Sequence, residues 1–210
     1  MLKNKYLLSI YIIFTFCYTQ NPIDAYLIGN NTTTLRGTVQ DGLITPRDLD
    51  FHKVPGRQDE LWVINEYNIQ RTHGGSTVTY YNAGQDNQWA EYRKDSWSGH
   101  FMHTASAIAI SENGTFANTL DCQDANNQGG YFTGSSLWDS DTSVYARVHQ
   151  SDNLLGSHID MIHQSPYSEG IASAGGNVYW LFDGFHNAIC KYDFGVPHQH
   201  GGDNHSDGRV

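Results

Sequence analysis

The amino-acid sequence predicts an all-β fold made of small antiparallel sheets, and three observations lead to it. Helical periodicity is nearly absent after residue 20, while short alternating or aromatic-rich runs bounded by Gly, Asn, Asp and Pro recur along the chain. One strand–turn–strand pattern is repeated. The composition, with 39% hydrophobic and 13% aromatic residues, supplies a core and argues against a disordered chain.

The predicted strands are short, as expected for a series of hairpins. They cover residues 47–52, 60–66, 76–82, 105–110, 114–120, 143–148, 170–174, 178–182 and 188–194. Two of the connections carry typical turn residues. Asn113-Gly114 supplies the positive φ angles of a two-residue hairpin turn, and the Gly175-Gly176-Asn177 sequence does the same later in the chain.

The repeated pattern occurs in three copies that begin near Thr45, Thr104 and Ser165. In each copy a small or Pro-containing segment leads into a short apolar strand, a tight turn and a hydrophobic strand, and an Asp/Asn-rich turn follows the hydrophobic strand. The copies are spaced by about 60 residues, which exceeds the ~40–50 residues of a compact four-stranded unit. Each copy is therefore expected to carry inserted loops, with residues 116–137 as one insertion.

The third copy has the most specific ending, Asn187-Ala188-Ile189-Cys190-Lys191-Tyr192-Asp193. This ending resembles the final strand of NHL-type repeats, and the resemblance extends over residues 165–194 and, less closely, over 45–82. It implies a β-propeller of four-stranded antiparallel blades. Three copies are fewer than the typical four to eight blades, so we expect an incomplete ring that forms the first half of a longer propeller. The alternative is a small complete ring in which residues 24–37 and poorly matching segments supply a further blade.

The N-terminal residues have the pattern of a secretory signal. Lys3 and Lys5 precede an apolar run over residues 7–14, which is shorter than the ~20 residues that a membrane span needs. We therefore predict a signal peptide over residues 1–20, a propeller segment over 21–210, a secreted or extracytoplasmic location, and no membrane span after signal removal. The formal net charge of −10 excludes a nucleic-acid binder that neutralises phosphates.

Export changes the expectation for the cysteines. Cys17 lies inside the predicted signal, which leaves Cys122 and Cys190 as a pair in the mature chain. An oxidising compartment favours a disulfide between them. Two separately buried thiols are the alternative.

A first group of candidate metal ligands lies ahead of the third copy, in the pattern His158-x-Asp160-x-x-His163. Imidazole and carboxylate ligands suit zinc, manganese or iron. On a regular strand His158 and Asp160 share a face and His163 points away, so joint ligation needs a loop. His186, beside Asp183, is a further candidate ligand. The alternative is that these are ordinary surface and turn residues.

A second histidine-rich stretch runs from His198 to Gly208 and contains His200 and His205. Its Asp203, Asn204 and Asp207 offer oxygen ligands between glycines, so the stretch is a candidate calcium loop. It lacks the final Glu of an EF-hand, and a polar Gly-rich connector between blades is the alternative.

The function predicted from these features is a secreted scaffold that binds a protein, peptide or glycan through loops at one end of the propeller channel. Two alternatives are a metal-dependent lyase or hydrolase with His and Asp ligands, and a calcium-binding adhesion module. Residues 80–81 and 89–92 either line a groove for sugars or peptides or form an edge strand with inward rings. The sequence identifies no catalytic residue, and it contains neither a Gly-x-Ser-x-Gly nucleophile motif nor a phosphate-binding glycine loop.

Overall fold

Three antiparallel sheets, each a meander of consecutive strands, form the body of the protein. The computed structural model describes residues 34–125, 132–148 and 154–210, and all three sheets lie in the unit Arg36–Val210. The predicted signal peptide lies outside the described residues. The prediction of an all-β fold with antiparallel sheets is confirmed.

The sheets follow one another along the chain, and each is ordered in space as it is in sequence. Sheet 1 contains β1 (Pro46–Phe51), β2 (Leu61–Asn65), β3 (Ser76–Tyr81) and β4 (Trp89–Arg93). Sheet 2 contains β5 (Ala105–Ile110), β6 (Thr115–Leu120), β7 (Ser136–Asp139) and β8 (His158–Met161). Sheet 3 contains β9 (Ile171–Gly175), β10 (Val178–Asp183) and β11 (Ala188–Asp193). The helical parts of the described chain are a 3-10 turn, Val39–Asp41, and the four-residue helix α1, Ser98–Phe101.

All but one of the predicted strands are present, and the predicted strand over residues 143–148 is wrong. That segment is a series of turns, because the Asp141 carbonyl accepts the N–H groups of Val144 and Tyr145 and Ala146 has a positive φ. Its hydrophobic character has another cause, since the Tyr145 ring is fully buried in the core. The inserted loop is also shorter than the predicted residues 116–137, because the two ends of that range belong to β6 and β7.

Two apolar layers hold the three sheets together. Between sheets 1 and 2, the side chains of Trp62 and Ile64 pack with Ile108, Phe116 and Trp138. Between sheets 2 and 3, the buried residues include Ala109, Ala117, Leu137, Tyr179 and Leu181. Consecutive side chains of a strand point to opposite faces, so sheet 2 contributes to both layers and is covered on both sides.

The first strands of the three sheets lie side by side, with β1 next to β5 and β5 next to β9. Asp48 and Asp50 on β1 accept the main-chain N–H groups of Ile108 and Ile110 on β5, at 3.0 and 2.9 Å. The edge of β5 that is not paired with β6 therefore has carboxylate partners for its buried donors. An unpaired N–H at such a position would cost about 1–3 kcal/mol.

A buried histidine makes a second connection between sheets 1 and 2. His52 follows β1, and its Nδ1 accepts the N–H of Val54 at 3.1 Å. Its Nε2 therefore carries the proton and donates to Ser140 Oγ, 2.8 Å away and just beyond β7. Burial, reinforced by the charge of Arg57, lowers the pKa of His52 from 6.5 to about 4. Protonation would place a second donor at Nδ1, opposite the Val54 N–H.

Acidification should therefore destabilise the fold through His52. Between pH 6.5 and about 4 the unfolded chain binds this proton and the folded chain does not, so stability falls as pH falls through that window. The loss in the free energy of unfolding approaches ~3 kcal/mol at a pH below both pKa values. Urea unfolding of the wild type and of His52→Gln at several pH values measures it, because the difference between the two proteins isolates this residue. If the free energies of unfolding of the two proteins changed in parallel with pH, His52 would not be the source of the acid sensitivity.

Candidate metal centre

Three histidines from distant parts of the sequence meet at the outer strand of sheet 2. His158 is the first residue of β8, while His198 and His205 lie in the segment that follows β11. One ring nitrogen from each histidine lies within 4.8 Å of the others, and we call these three residues the histidine cluster. His158 is buried, and the other two are half-buried. Within the described ranges no other set of three His, Cys, Asp or Glu residues comes this close.

A bulge in β8 determines where His158 points. His158 pairs with Trp138 and Asp160 pairs with Leu137, so β8 advances two residues where β7 advances one. Trp138 and Leu137 face opposite apolar layers, and cross-strand partners share a face. The bulge therefore places His158 and Asp160 on opposite faces of sheet 2. The prediction that they share a face, which holds only for a regular strand, is wrong.

Main-chain hydrogen bonds bring the C-terminal segment to the free edge of β8. The N–H of His198 donates to Ile159 O at 3.0 Å, and the N–H of Gly201 donates to His158 O at 2.8 Å. Gly201 is required here, because its φ is +70° and a Cβ would lie 2.5 Å from the Gly156 carbonyl oxygen. Two further hydrogen bonds between Asp193 and Arg209 fix the far end of the segment on β11.

Backbone carbonyls fix the tautomers of two members of the cluster. His158 Nδ1 lies 2.9 Å from Leu155 O, and His198 Nδ1 lies 2.6 Å from Gln199 O. A carbonyl can only accept, so both Nδ1 atoms carry the proton and both Nε2 atoms carry a lone pair. The Nε2 of His198 is buried without any hydrogen-bond partner. This is the arrangement of metal-binding histidines, whose second nitrogen donates to a carbonyl or carboxylate.

The electrostatic environment keeps His158 and His205 uncharged at neutral pH. Burial is the main cause that lowers the pKa of His158 to about 3, and the neighbouring His198 and His205 contribute. Burial also lowers the pKa of His205 to about 4, helped by His198 and His163. Neutral imidazole is the form that coordinates metal ions.

The spacing of one pair of nitrogens in the cluster suits a tetrahedral metal ion. The Nε2 atoms of His158 and His205 are 3.2 Å apart. Because the His158 atom carries a lone pair, it accepts the Nε2–H of His205, so this proton must move to Nδ1 before His205 can bind a metal through Nε2. Two imidazoles on one tetrahedral zinc, with bonds of about 2.0–2.1 Å, would place their nitrogens ~3.3 Å apart. Three neutral nitrogen ligands favour zinc or a neighbouring divalent transition metal over calcium and magnesium, which prefer oxygen. Such a set leaves a fourth position open.

Aromatic side chains form the wall behind the cluster. The Phe101 ring of α1 stacks on His158 with a centroid distance of 3.7 Å, and Trp138 packs edge-on against the same imidazole at 6.3 Å. These rings belong to the apolar layer between sheets 1 and 2. The orientation of His158 is therefore set by the core of the protein rather than by a loop.

The structure brings only one of the four predicted metal ligands, His158, into the cluster. Asp160 uses Oδ1 to accept the Met161 N–H, and burial together with Asp207 raises its pKa to about 7. His163 is a neighbour, with its ring centroid 5.9 Å from that of His205, and its Nδ1 donates to the Phe132 carbonyl at 3.1 Å. His186 lies elsewhere, where its Nδ1 donates to Asp183 at 2.8 Å.

Joining the two histidine-rich stretches was the step that sequence reasoning missed. The sequence pattern places His198 and His205 in a candidate calcium loop, separately from His158. The oxygen atoms of that loop support the loop itself, since Asn204 accepts from Ser206 and Asp207 accepts the Val196 N–H at 2.8 Å. The high density of histidines between residues 149 and 205 was the available signal. Only the tertiary structure shows which of them converge.

The two cysteines of the predicted mature chain are separate free thiols in this structure. The Cys122 Sγ lies 3.8 Å from the His103 carbonyl, and burial raises its pKa. Cys190 packs against the apolar layer between sheets 2 and 3. This arrangement corresponds to the alternative of two separate thiols.

Searches with the whole chain give no family context for the cluster. Neither a family model, nor a curated protein, nor a solved structure matches this sequence. In the described residues no helix combines the length and the apolar character needed to cross a bilayer.

We expect the protein to bind one equivalent of Zn²⁺, measured by competition with a chromophoric chelator. His198→Ala and His205→Ala should each lower the affinity at least about 100-fold, because each removes a nitrogen ligand. His186→Ala is the matched control, since this imidazole bonds Asp183 outside the cluster, and it should bind zinc like the wild type. Unchanged affinity in His198→Ala would show that the cluster is not the site.

Proposed function

We propose that this chain is a propeller-type β protein whose histidine cluster holds a catalytic zinc or a neighbouring divalent transition metal. The observation that carries the proposal is the pair of fixed tautomers. His158 and His198 each donate Nδ1–H to a backbone carbonyl, so both Nε2 atoms present lone pairs inside the cluster: that of His198 has no partner, and that of His158 is bonded only by His205, another member of the cluster. The 3.2 Å separation between the Nε2 atoms of His158 and His205 supports the same conclusion.

The arrangement of the sheets supports the propeller architecture. Each sheet is an up-and-down meander, the first strands lie side by side, and the sheets pack through apolar faces. A narrow sheet that cannot cover its own faces is the unit from which propellers are built. The resemblance of the third copy to NHL-type repeats adds to this argument. Secretion, proposed from residues 1–20, is independent of it.

Three protein ligands favour a catalytic centre over a closed structural one. Catalytic zinc sites commonly use three protein ligands and keep the fourth position for water or substrate. A metal in such a site would supply Lewis acidity, which polarises a carbonyl or lowers the pKa of a water. The chain itself provides the ligands, the apolar wall and a nearby base, since His163 keeps a free Nε2 when its Nδ1 donates to Phe132 O. The reaction class proposed is hydrolysis or elimination.

The histidine cluster favours the metal-dependent enzyme over the other two functions expected from the sequence. The cluster offers nitrogen rather than the oxygen ligands of a calcium-binding adhesion module. Binding of a protein, peptide or glycan remains a proposal about the loops, and it is compatible with a metal centre that acts on the bound partner.

Cobalt substitution tests whether the fourth position is open. Co²⁺ in the cluster should give the intense visible bands of a four-coordinate ion, and adding azide should shift them because it replaces the exchangeable ligand. His163→Ala should leave the initial spectrum unchanged, since His163 is placed outside the ligand set.

A spectrum that azide does not shift would contradict the catalytic proposal and indicate a closed structural site. A spectrum that changes in His163→Ala would identify His163 as a fourth protein ligand. That result would also contradict the catalytic proposal, because it would leave no position for water or substrate.

A further inference from the structure

An exposed aromatic pair lies at the outer edge of sheet 1. Trp89, the first residue of β4, pairs with Tyr81, the last residue of β3. The two rings stack with a centroid distance of 4.1 Å and an interplanar angle of 18°. Trp89 is nevertheless 53% exposed. Tyr81 therefore supports one face of the indole, and more than half of the Trp89 side chain remains accessible to a ligand.

The pair belongs to the face of sheet 1 that packs on sheet 2. Tyr81 and Thr79 are alternate residues of β3, so their side chains share a face. Thr79 pairs with Trp62 of β2, whose ring is buried between sheets 1 and 2. This face is therefore covered by sheet 2 at β2 and reaches solvent at Trp89. Tyr80 lies on the opposite face, so only one ring of the tyrosine pair belongs to the exposed platform.

Charged side chains beside the aromatic pair hold one another in place. Glu91 follows Trp89 by two residues and lies on the same face of β4. Arg93 Nη2 bonds Glu91 Oε2, and Arg147 Nη2 donates to Glu91 Oε1 at 2.8 Å. Arg93 also donates to the Tyr81 hydroxyl at 2.9 Å, and its side chain is only 3% exposed. A buried guanidinium therefore fixes both the carboxylate and the phenol ring that supports the indole.

The charges of this network favour a polar ligand over a simple ion. Both carboxylate oxygens of Glu91 are already paired with guanidinium groups, which makes the carboxylate a poor site for a cation. The two guanidinium groups share one carboxylate, which reduces their attraction for an anion. Arg147 is 58% exposed and keeps further N–H donors, and a carboxylate oxygen accepts more than one hydrogen bond. The network therefore offers a ligand directed donors and acceptors beside an apolar ring.

Trp180, which is exposed to a similar extent, has different surroundings. Its side chain is 47% exposed on sheet 3. The cavity beside it is lined by glycine and apolar residues, among them Phe182 and Ile189. A ligand at Trp180 would meet apolar groups alone, whereas a ligand at Trp89 meets an aromatic ring with charged groups at its side.

We propose that Trp89 and its charged neighbours bind a pyranose ring of a carbohydrate. A pyranose has C–H groups on its ring faces and hydroxyl groups around its edge. Its C–H groups can pack on the accessible surface of the indole, while its hydroxyls bond Arg147 and Glu91. A polyproline segment is a less suitable ligand, because it docks in a groove lined by several aromatic rings. The site is separate from the histidine cluster and adds a binding function to the proposed catalytic one.

Saturation-transfer difference NMR tests the proposal on the purified 210-residue chain. The probes are the methyl glycosides of glucose, galactose, mannose and N-acetylglucosamine. At least one should bind with a Kd of about 1–10 mM, with the strongest transfer to C–H protons of one ring face. Trp89→Ala should weaken this binding at least about tenfold because it removes the stacking surface, and Arg147→Ala at least about threefold because it removes donors. Trp180→Ala is the matched control and should bind like the wild type.

Absence of binding by all four glycosides would overturn the proposal, as would binding that Trp89→Ala leaves unchanged or that Trp180→Ala abolishes. Binding of a decaproline peptide at Trp89 in place of the glycosides would also overturn it and assign the platform to peptide recognition. Circular dichroism shows whether Trp89→Ala is folded. If it is not, Arg147→Ala decides, since this side chain lies largely in solvent. EDTA in every sample keeps the outcome separate from the zinc and cobalt measurements.

Discussion

Burial of both faces of narrow sheets is the constraint on which this structure depends. A sheet of three or four short strands presents apolar side chains on two sides, and each square ångström removed from water contributes roughly 25 cal/mol. Sheet 2 meets the constraint fully, since Phe116 and Ala117 point into different apolar layers. Sheet 3 meets it on one side, and sheet 1 also buries Val63, Val78 and Tyr80 on its second face, where Leu43 and Ala83 pack against them. Sheets that follow one another along the chain therefore pack on one another.

The same constraint builds the histidine cluster at the edge of sheet 2. The apolar layer between sheets 1 and 2 holds Phe101 and Trp138 against the His158 ring, so the core sets the direction of this imidazole. The outer edge of β8 has main-chain groups that need partners, and residues 198–201 supply them. Pairing with this edge carries His198 and His205 to His158. A stable sheet edge and a metal-binding geometry therefore arise from one set of contacts.

Much of the fold could be predicted from local pattern, and the failures have physical causes. The strand over residues 105–110 is correct to the residue because an apolar run ends at an Asn-Gly turn. The sequence does not predict β8 because a run of four residues is too short to be distinctive, although it alternates polar His and Asp with apolar Ile and Met and all four are buried. The segment around Tyr145 has the composition of a strand, yet the turn formed by Asp141 decides its backbone.

The candidate site was predictable only in part, for a related reason. In a regular strand, alternate side chains share a face, so His158 and Asp160 would point the same way. The bulge in β8 puts them on opposite faces. The convergence of His158 with residues some 40 positions later depends on pairing between the C-terminal segment and β8, which no local pattern encodes.

Diffraction from zinc-soaked crystals, recorded on both sides of the zinc absorption edge, would show whether the histidine cluster binds zinc. We expect one anomalous peak bonded to the Nε2 atoms of His158, His198 and His205 at about 2.0–2.1 Å. A peak held by other residues, or an ordered cluster that binds no zinc, would contradict it.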